Sequence, residues 1–184
     1  MEFDSLVIED VFPKEEFEAL KQYLRACKYK PLDKKNDFLY YSELPKQAID
    51  KLINKVNEVT QMNLKEIVTF ARLNTSVIDA RVRIHADNIV FGKQPKFAFV
   101  YYLETNSESG TALLSSPTYG KERLDMKMSV FTEIGDWEVT KFNPELENSL
   151  FLYRSVLYHS RWPPISRGID EKDGRIIIVS FLED

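Results

Sequence analysis

Lys96-Phe97-Ala98-Phe99-Val100-Tyr101-Tyr102-Leu103-Glu104 is the stretch on which the fold turns. An apolar and aromatic run of strand length, closed by a charge at each end, suits a pleated surface. The same texture recurs from about residue 66 to the end of the chain. Candidate strands are Ile67 to Leu73, Val77 to Ile84, Phe97 to Leu103, Thr111 to Leu114, Lys127 to Phe131, Ser149 to Tyr153 and Arg175 to Leu182. Gly110, Gly120, Gly135 and Gly174 punctuate them. Short strands at this spacing predict a β-sandwich or jelly roll.

Upstream, the hydrophobic period changes. Leu6-Val7-Ile8 reads as one short strand. Phe12-Pro13-Lys14-Glu15-Glu16 opens a helix, with proline and acids in the first turn. Phe17, Leu20, Leu24 and Cys27 then recur at helical spacing. A polar loop rich in lysine and aspartate covers roughly residues 30 to 40, and a second helix begins at Pro45. Its expected buried stripe is Ile49, Leu52, Ile53, Val56 and Val59. The fold class is therefore α+β, mainly β, with two N-terminal support helices. The chain of 184 residues has room for one domain. Residues 1–65 would form the N-terminal strand and helices, and 66–184 the β core.

Charge narrows the function. Twenty-five basic and twenty-nine acidic residues give a net charge of −4. No polybasic run appears, which argues against a nucleic-acid partner. The balance favours a small molecule or a protein side chain as substrate. Cys27 is the single cysteine, so a disulfide framework and a cysteine-based zinc site are both ruled out within one chain. A reducing cytoplasm fits. Met1-Glu2-Phe3-Asp4-Ser5 lacks the pattern of a signal peptide, and no apolar run approaches the ~20 residues that span a bilayer.

The chemistry gathers around two histidines, His85 and His159, each at an expected strand end. His85-Ala86-Asp87 is a His-x-Asp triplet. In extended chain, residues i and i+2 point the same way, so this imidazole and carboxylate can meet one metal ion. Two histidines and one carboxylate on one face of an octahedron leave three positions open, as non-haem iron(II) oxygenases require.

The order of motifs around these residues resembles the 2-oxoglutarate/iron(II)-dependent oxygenase superfamily, nearest its prolyl-4-hydroxylase-like branch. Arg83-Ile84-His85-Ala86-Asp87 resembles the first metal-bearing strand and its exit. Lys96 to Glu104 resembles the long strand ending in Tyr-Leu-Asn, with Glu104 where asparagine is usual. Gly110-Thr111-Ala112-Leu113 resembles a Gly-Gly-x-Leu motif. Asn148 to Tyr153, through Leu157-Tyr158-His159, resembles the strand and turn that deliver the distal histidine. Gly174-Arg175-Ile176-Ile177-Ile178-Val179-Ser180-Phe181 resembles the last strand. The opening from Leu6 to Phe12, followed by an amphipathic helix, is similar to the usual N-terminal segment, so the resemblance covers nearly the whole chain.

That resemblance implies a double-stranded β-helix core and a 2-oxoglutarate-dependent dioxygenase that uses Fe(II) and O2. His85, Asp87 and His159 would be the metal ligands. Arg175 would anchor the distal carboxylate of 2-oxoglutarate, a task suited to a planar, permanently charged fork. Tyr102 would meet the same carboxylate. No catalytic group beyond the metal ligands is implied. Arg83, Asn88, Tyr101 and Trp162 flank the metal segments and are candidates for the substrate side.

The chain departs from the family pattern in one interval. Arg175 lies sixteen positions after His159, several more than is common, and the excess fits a hairpin insertion from Pro163 to Gly174. Arg161 and Arg167 then become rival anchors. Two other functions compete with the oxygenase: a cupin-type metal enzyme that does not use 2-oxoglutarate, and a non-enzymatic β-helix binding domain.

Overall fold

The structure is a computed structural model and describes residues 3–32, 39–78, 83–87, 89–123 and 130–184. Its elements, in chain order, are β1 (Ser5–Ile8), α1 (Lys14–Ala26), β2 (Lys30–Pro31), β3 (Tyr40–Ser42), α2 (Lys46–Thr60), β4 (Lys65–Asn74) and β5 (Phe97–Tyr102). They continue with β6 (Asn106–Ser115), β7 (Glu138–Glu145), β8 (Ser149–Arg154), β9 (His159–Trp162) and β10 (Arg175–Glu183). The strands form two antiparallel sheets. One has seven strands in the order β1-β8-β5-β10-β4-β3-β2, and the other three in the order β7-β6-β9. The protein is thus mostly β with two helices.

β5 shows why its sequence is apolar without alternation. Phe97, Phe99 and Tyr101 pack into the cluster shared with the helices, alongside Phe17, Leu20, Leu24, Leu52 and Val56. Ala98, Val100 and Tyr102 point the other way and pack with Leu113 of the small sheet. A strand covered on both faces needs apolar residues at every position, because each buried side chain is removed from water. β10 obeys the same rule with one exception. Ile176, Ile178 and Leu182 face the helices, Ile177 and Val179 face the small sheet, and Arg175 is a buried charge at the head of that second row.

Both helices start directly after a proline, Pro13 and Pro45, which stands at the N-cap and not in the first turn, its carbonyl accepting the first helical hydrogen bond. Val59 departs from the expected stripe and is 40% exposed. Thr60 takes the buried place and returns its hydroxyl hydrogen bond to the Val56 carbonyl at 2.7 Å. Cys27 falls just past the end of α1. The segment expected as a polar loop contributes the short β2–β3 pair, with Lys30 opposite Tyr41 and Pro31 opposite Tyr40.

The expected strand from Val77 to Ile84 is not formed at its described ends. Thr75 accepts from the Val77 and Ile78 amides through its hydroxyl and makes a turn, while residues 79–82 lie outside the described residues. Ile84 pairs singly with Phe131. Of the expected strand from Lys127 to Phe131, residues 127–129 also lie outside. β7 and β9 were not expected. Among the described residues no helix is long and apolar enough to cross a membrane.

Candidate metal centre

The backbone brings the two histidines together. The His85 amide donates to the His159 carbonyl at 3.1 Å and the His159 amide donates back at 2.9 Å. This single antiparallel pair joins the exit of the 83–87 segment to the start of β9, and it sets the two imidazole rings 4.4 Å apart. Asp87 is held two residues on, where its amide donates to the Ser155 carbonyl at 2.8 Å. One potential ligand atom from each of His85, Asp87 and His159 lies within 4.8 Å of the others.

The polarity of this cluster tells what it can hold. His85 Nδ1 sits 3.1 Å from the Arg83 carbonyl, and His159 Nδ1 sits 3.0 Å from the Leu157 carbonyl. A carbonyl only accepts, so each Nδ1 carries the ring hydrogen and each Nε2 presents a lone pair. Those nitrogens stand 3.5 and 3.3 Å from the two Asp87 oxygens, which also only accept when ionised. Asp87 Oδ2 is buried without a hydrogen-bond partner. Tyr153 donates to the Asp87 carboxylate, but Oδ2 and the two Nε2 lone pairs are left facing one another, a set that a cation satisfies. The backbone carbonyls behind the rings fix their tautomer, as the outer partners of metal-bound histidines do.

The protonation states agree. Burial pushes the Asp87 carboxyl up to about 6, against the opposing pull of His85, Arg72 and the Tyr153 hydroxyl. Burial, then the neighbouring His159, holds His85 down to about 4, and burial holds His159 at about 4 as well. At neutral pH the site therefore offers two neutral imidazoles and one carboxylate, the forms that ligate a metal. The Tyr153 ring lies tilted against His159 with centroids 4.6 Å apart, and burial, then the Asp87 charge, raises its hydroxyl well above the ordinary value, so it stays protonated.

The triad lines a cavity of about 200 Å³ between the sheets. Arg72, Arg83, Arg161 and Arg175 line it too, and Val100, Ile177 and Val179 give it an apolar wall. Arg175 is 3% exposed. Its Nε donates to Glu145 Oε1, Nη1 to Asn74 Oδ1 at 3.2 Å and Nη2 to the Gly110 carbonyl at 3.4 Å. Its guanidinium lies 5.9 Å from the Tyr102 ring centre. Tyr102 is buried and donates to Thr111 Oγ1 at 2.8 Å, so Thr111, not the phenol, meets the cavity.

The other candidates divide. Arg83 and Arg161 line the cavity, and Arg161 Nη2 reaches the Pro164 carbonyl at 3.5 Å. Arg167 does not line it and bonds Glu104 at 2.6 Å and Glu145 at 3.1 Å. Tyr101 points to the helix side of β5, where its hydroxyl donates to Asn148 at 2.9 Å and its ring meets Phe12 edge-on. Trp162 packs on the cluster of Ile84, Ala112, Trp137 and Tyr158, away from the cavity. Asn88 lies outside the described residues. Arg72 and Tyr153 were missed. Arg72 stands between Phe70 and Asn74 at period two, on the row of β4 that lines the cavity, but Lys65, Glu66 and Thr69 in the same strand leave no apolar pattern from which it would stand out.

No protein-family model matches the chain, and a search of curated proteins finds no match in sequence. Solved structures do match in fold. HygX from Streptomyces hygroscopicus, solved with nickel, 2-oxoglutarate and hygromycin B bound, is 16% identical with a TM-score of 0.60, covering 97% of this chain and 82% of its own. A Pseudomonas putida prolyl-4-hydroxylase is 12% identical with a TM-score of 0.58, covering 98% of this chain and 93% of its own. The epimerase SnoN from nogalamycin biosynthesis, solved with Fe3+, alpha ketoglutarate and nogalamycin RO, is 13% identical with a TM-score of 0.61, covering 98% and 79%. The chain thus has the fold of 2-oxoglutarate/Fe(II)-dependent oxygenases.

Proposed function

We propose that the protein is a 2-oxoglutarate- and Fe(II)-dependent oxygenase acting on a small molecule or a protein side chain. The observation that carries this is the acceptor-only triad of His85, Asp87 and His159 on a wall of this particular fold. In this reading the whole chain is one domain, residues 66–184 form a double-stranded β-helix, and the helices of residues 1–65 support it. The single cysteine is in keeping with a reducing cytoplasm.

His85 and His159 would hold the iron through Nε2 and Asp87 through a carboxylate oxygen. Bound there, iron and 2-oxoglutarate would supply the oxidising chemistry, using O2 and releasing succinate and CO2. The protein's own part is orientation and exclusion of water. The Arg83 and Leu157 carbonyls fix the imidazoles, and Tyr153 covers His159. Arg175 is the anchor for the distal carboxylate: its described bonds use one N–H on each nitrogen, and a guanidinium has a further one on each terminal nitrogen. Tyr102 acts behind it by orienting Thr111. Val100, Ile177 and Val179 keep the space beside the metal apolar.

The test is Fe(II)-dependent formation of succinate from 2-oxoglutarate. Wild-type protein should produce it and Asp87→Ala should not. Iron bound by the wild type with no binding or turnover of 2-oxoglutarate would move the assignment to a metal enzyme of another kind.

A further inference from the structure

Arg175 carries a difficulty as an anion anchor, because its closest partner is already an anion. Glu145, 2% exposed, accepts from Arg175 Nε inside the fold. An arginine fully neutralised by a buried glutamate presents a dipole, not a charge, to a co-substrate carboxylate. Glu145 is nonetheless ionised: burial alone would raise its carboxyl, but Arg175, Ser109 and Arg167 together bring it below the ordinary value.

The pair does not stand alone. Arg167, in the insertion between β9 and β10, donates to Glu145 at 3.1 Å and to Glu104 at 2.6 Å, and Glu104 also accepts from Arg25 of α1. The result is a chain of alternating charge, Arg25–Glu104–Arg167–Glu145–Arg175, in which no side chain is more than 31% exposed. Three arginines and two glutamates leave a net charge of +1, and the end of the chain that lines the cavity is Arg175. Without Arg167 the sum falls to zero and Glu145 has Arg175 as its one cationic partner in the chain.

We propose that Arg167 is a positioning residue for the co-substrate: by taking up half of Glu145, it restores to Arg175 the positive charge that binds the distal carboxylate. The insertion is thereby part of the co-substrate site without touching the cavity. This also gives Glu104 a function, since it holds Arg167 in place from the position where the family pattern that the sequence resembles has asparagine. The inference rests on the oxygenase reading, and its test keeps the two apart.

The experiment is calorimetric titration of 2-oxoglutarate into Ni(II)-loaded protein, with nickel affinity measured on the same samples. Arg167→Gln should weaken 2-oxoglutarate by about tenfold, the equivalent of about 1.4 kcal/mol, with nickel affinity unchanged. Arg167→Lys should restore most of the loss. The double variant Arg167→Gln/Glu145→Gln returns the chain to +1 and should bind nearly as the wild type does, whereas a merely structural role would make it weaker than either single variant. If Arg167→Gln does not fold, Glu145→Gln alone decides, and it should bind at least as tightly as wild type. Wild-type affinity in Arg167→Gln, no recovery in the double variant, or weaker binding by Glu145→Gln overturns the proposal while the oxygenase reading stands. A nickel-loaded wild type that does not bind 2-oxoglutarate overturns both.

Discussion

Asp87 is the residue on which stability and function pull apart. Its Oδ2 is buried without a partner and faces the His159 lone pair, while Oδ1 faces that of His85. In metal-free protein this is unfavourable, because an unmet buried acceptor costs about 1–3 kcal/mol. Asp87→Asn supplies an N–H in the same volume. It should raise the melting temperature in chelator by a few degrees while lowering Fe(II) affinity by roughly a hundredfold or more, beyond the usual effect of outer partners. Unchanged metal affinity in this variant would remove Asp87 from the ligand set. Glu145 gives the pH dependence at the same scale. Its folded carboxyl lies below the ordinary value of 4.5. The stabilisation it gives is therefore complete above that value and is lost as pH falls through the lower, folded one. Urea melts from pH 7 to pH 3 should show wild type more stable than Glu145→Gln at neutral pH, the gap closing only below pH about 4.5. A gap that closed between pH 7 and 6 would contradict the buried pairing with Arg175.

Elements were legible where burial wrote a pattern into them. α1 and α2, β5 and β10 each bury a stripe or both faces, and their apolar positions mark them out. β7 is different. Glu138 to Phe142 are all exposed, so no hydrophobic period distinguishes this strand from a loop, and only its pairing with β6 creates it. β9 is short, and its polar residues answer to the site, with His159 and Arg161 toward the cavity. The His-x-Asp triplet could be read from spacing, but Arg72 and Tyr153 reach the site through sheet register, which no local pattern encodes. β6 offers a test at this scale. A Cβ on Gly110 would fall 2.0 Å from the Asn143 carbonyl oxygen of β7, a backbone atom that cannot turn aside. Gly110→Ala should force β6 and β7 apart at a cost of about 3 kcal/mol, read from denaturant melts. Because the Gly110 carbonyl accepts from Arg175, 2-oxoglutarate binding should fall with it.

For the whole molecule, the seven-stranded sheet divides the labour. Its helix-covered face is the main core, and its other face carries Arg175 and the cavity wall. Damage to one face should leave the other's chemistry intact while the protein remains folded. Leu52 is fully buried on the inner face of α2. Leu52→Ala should cost about 2–5 kcal/mol of stability yet leave nickel affinity at 20 °C unchanged. A parallel loss of metal binding would mean that the helices help shape the site. The measurement that bears most directly on the central claim is a crystal structure of the protein with Ni(II) and 2-oxoglutarate. The metal should lie among His85 Nε2, Asp87 and His159 Nε2, with the distal carboxylate of the co-substrate on Arg175. A metal bound elsewhere, or a co-substrate that leaves Arg175 to Glu145 alone, would contradict it.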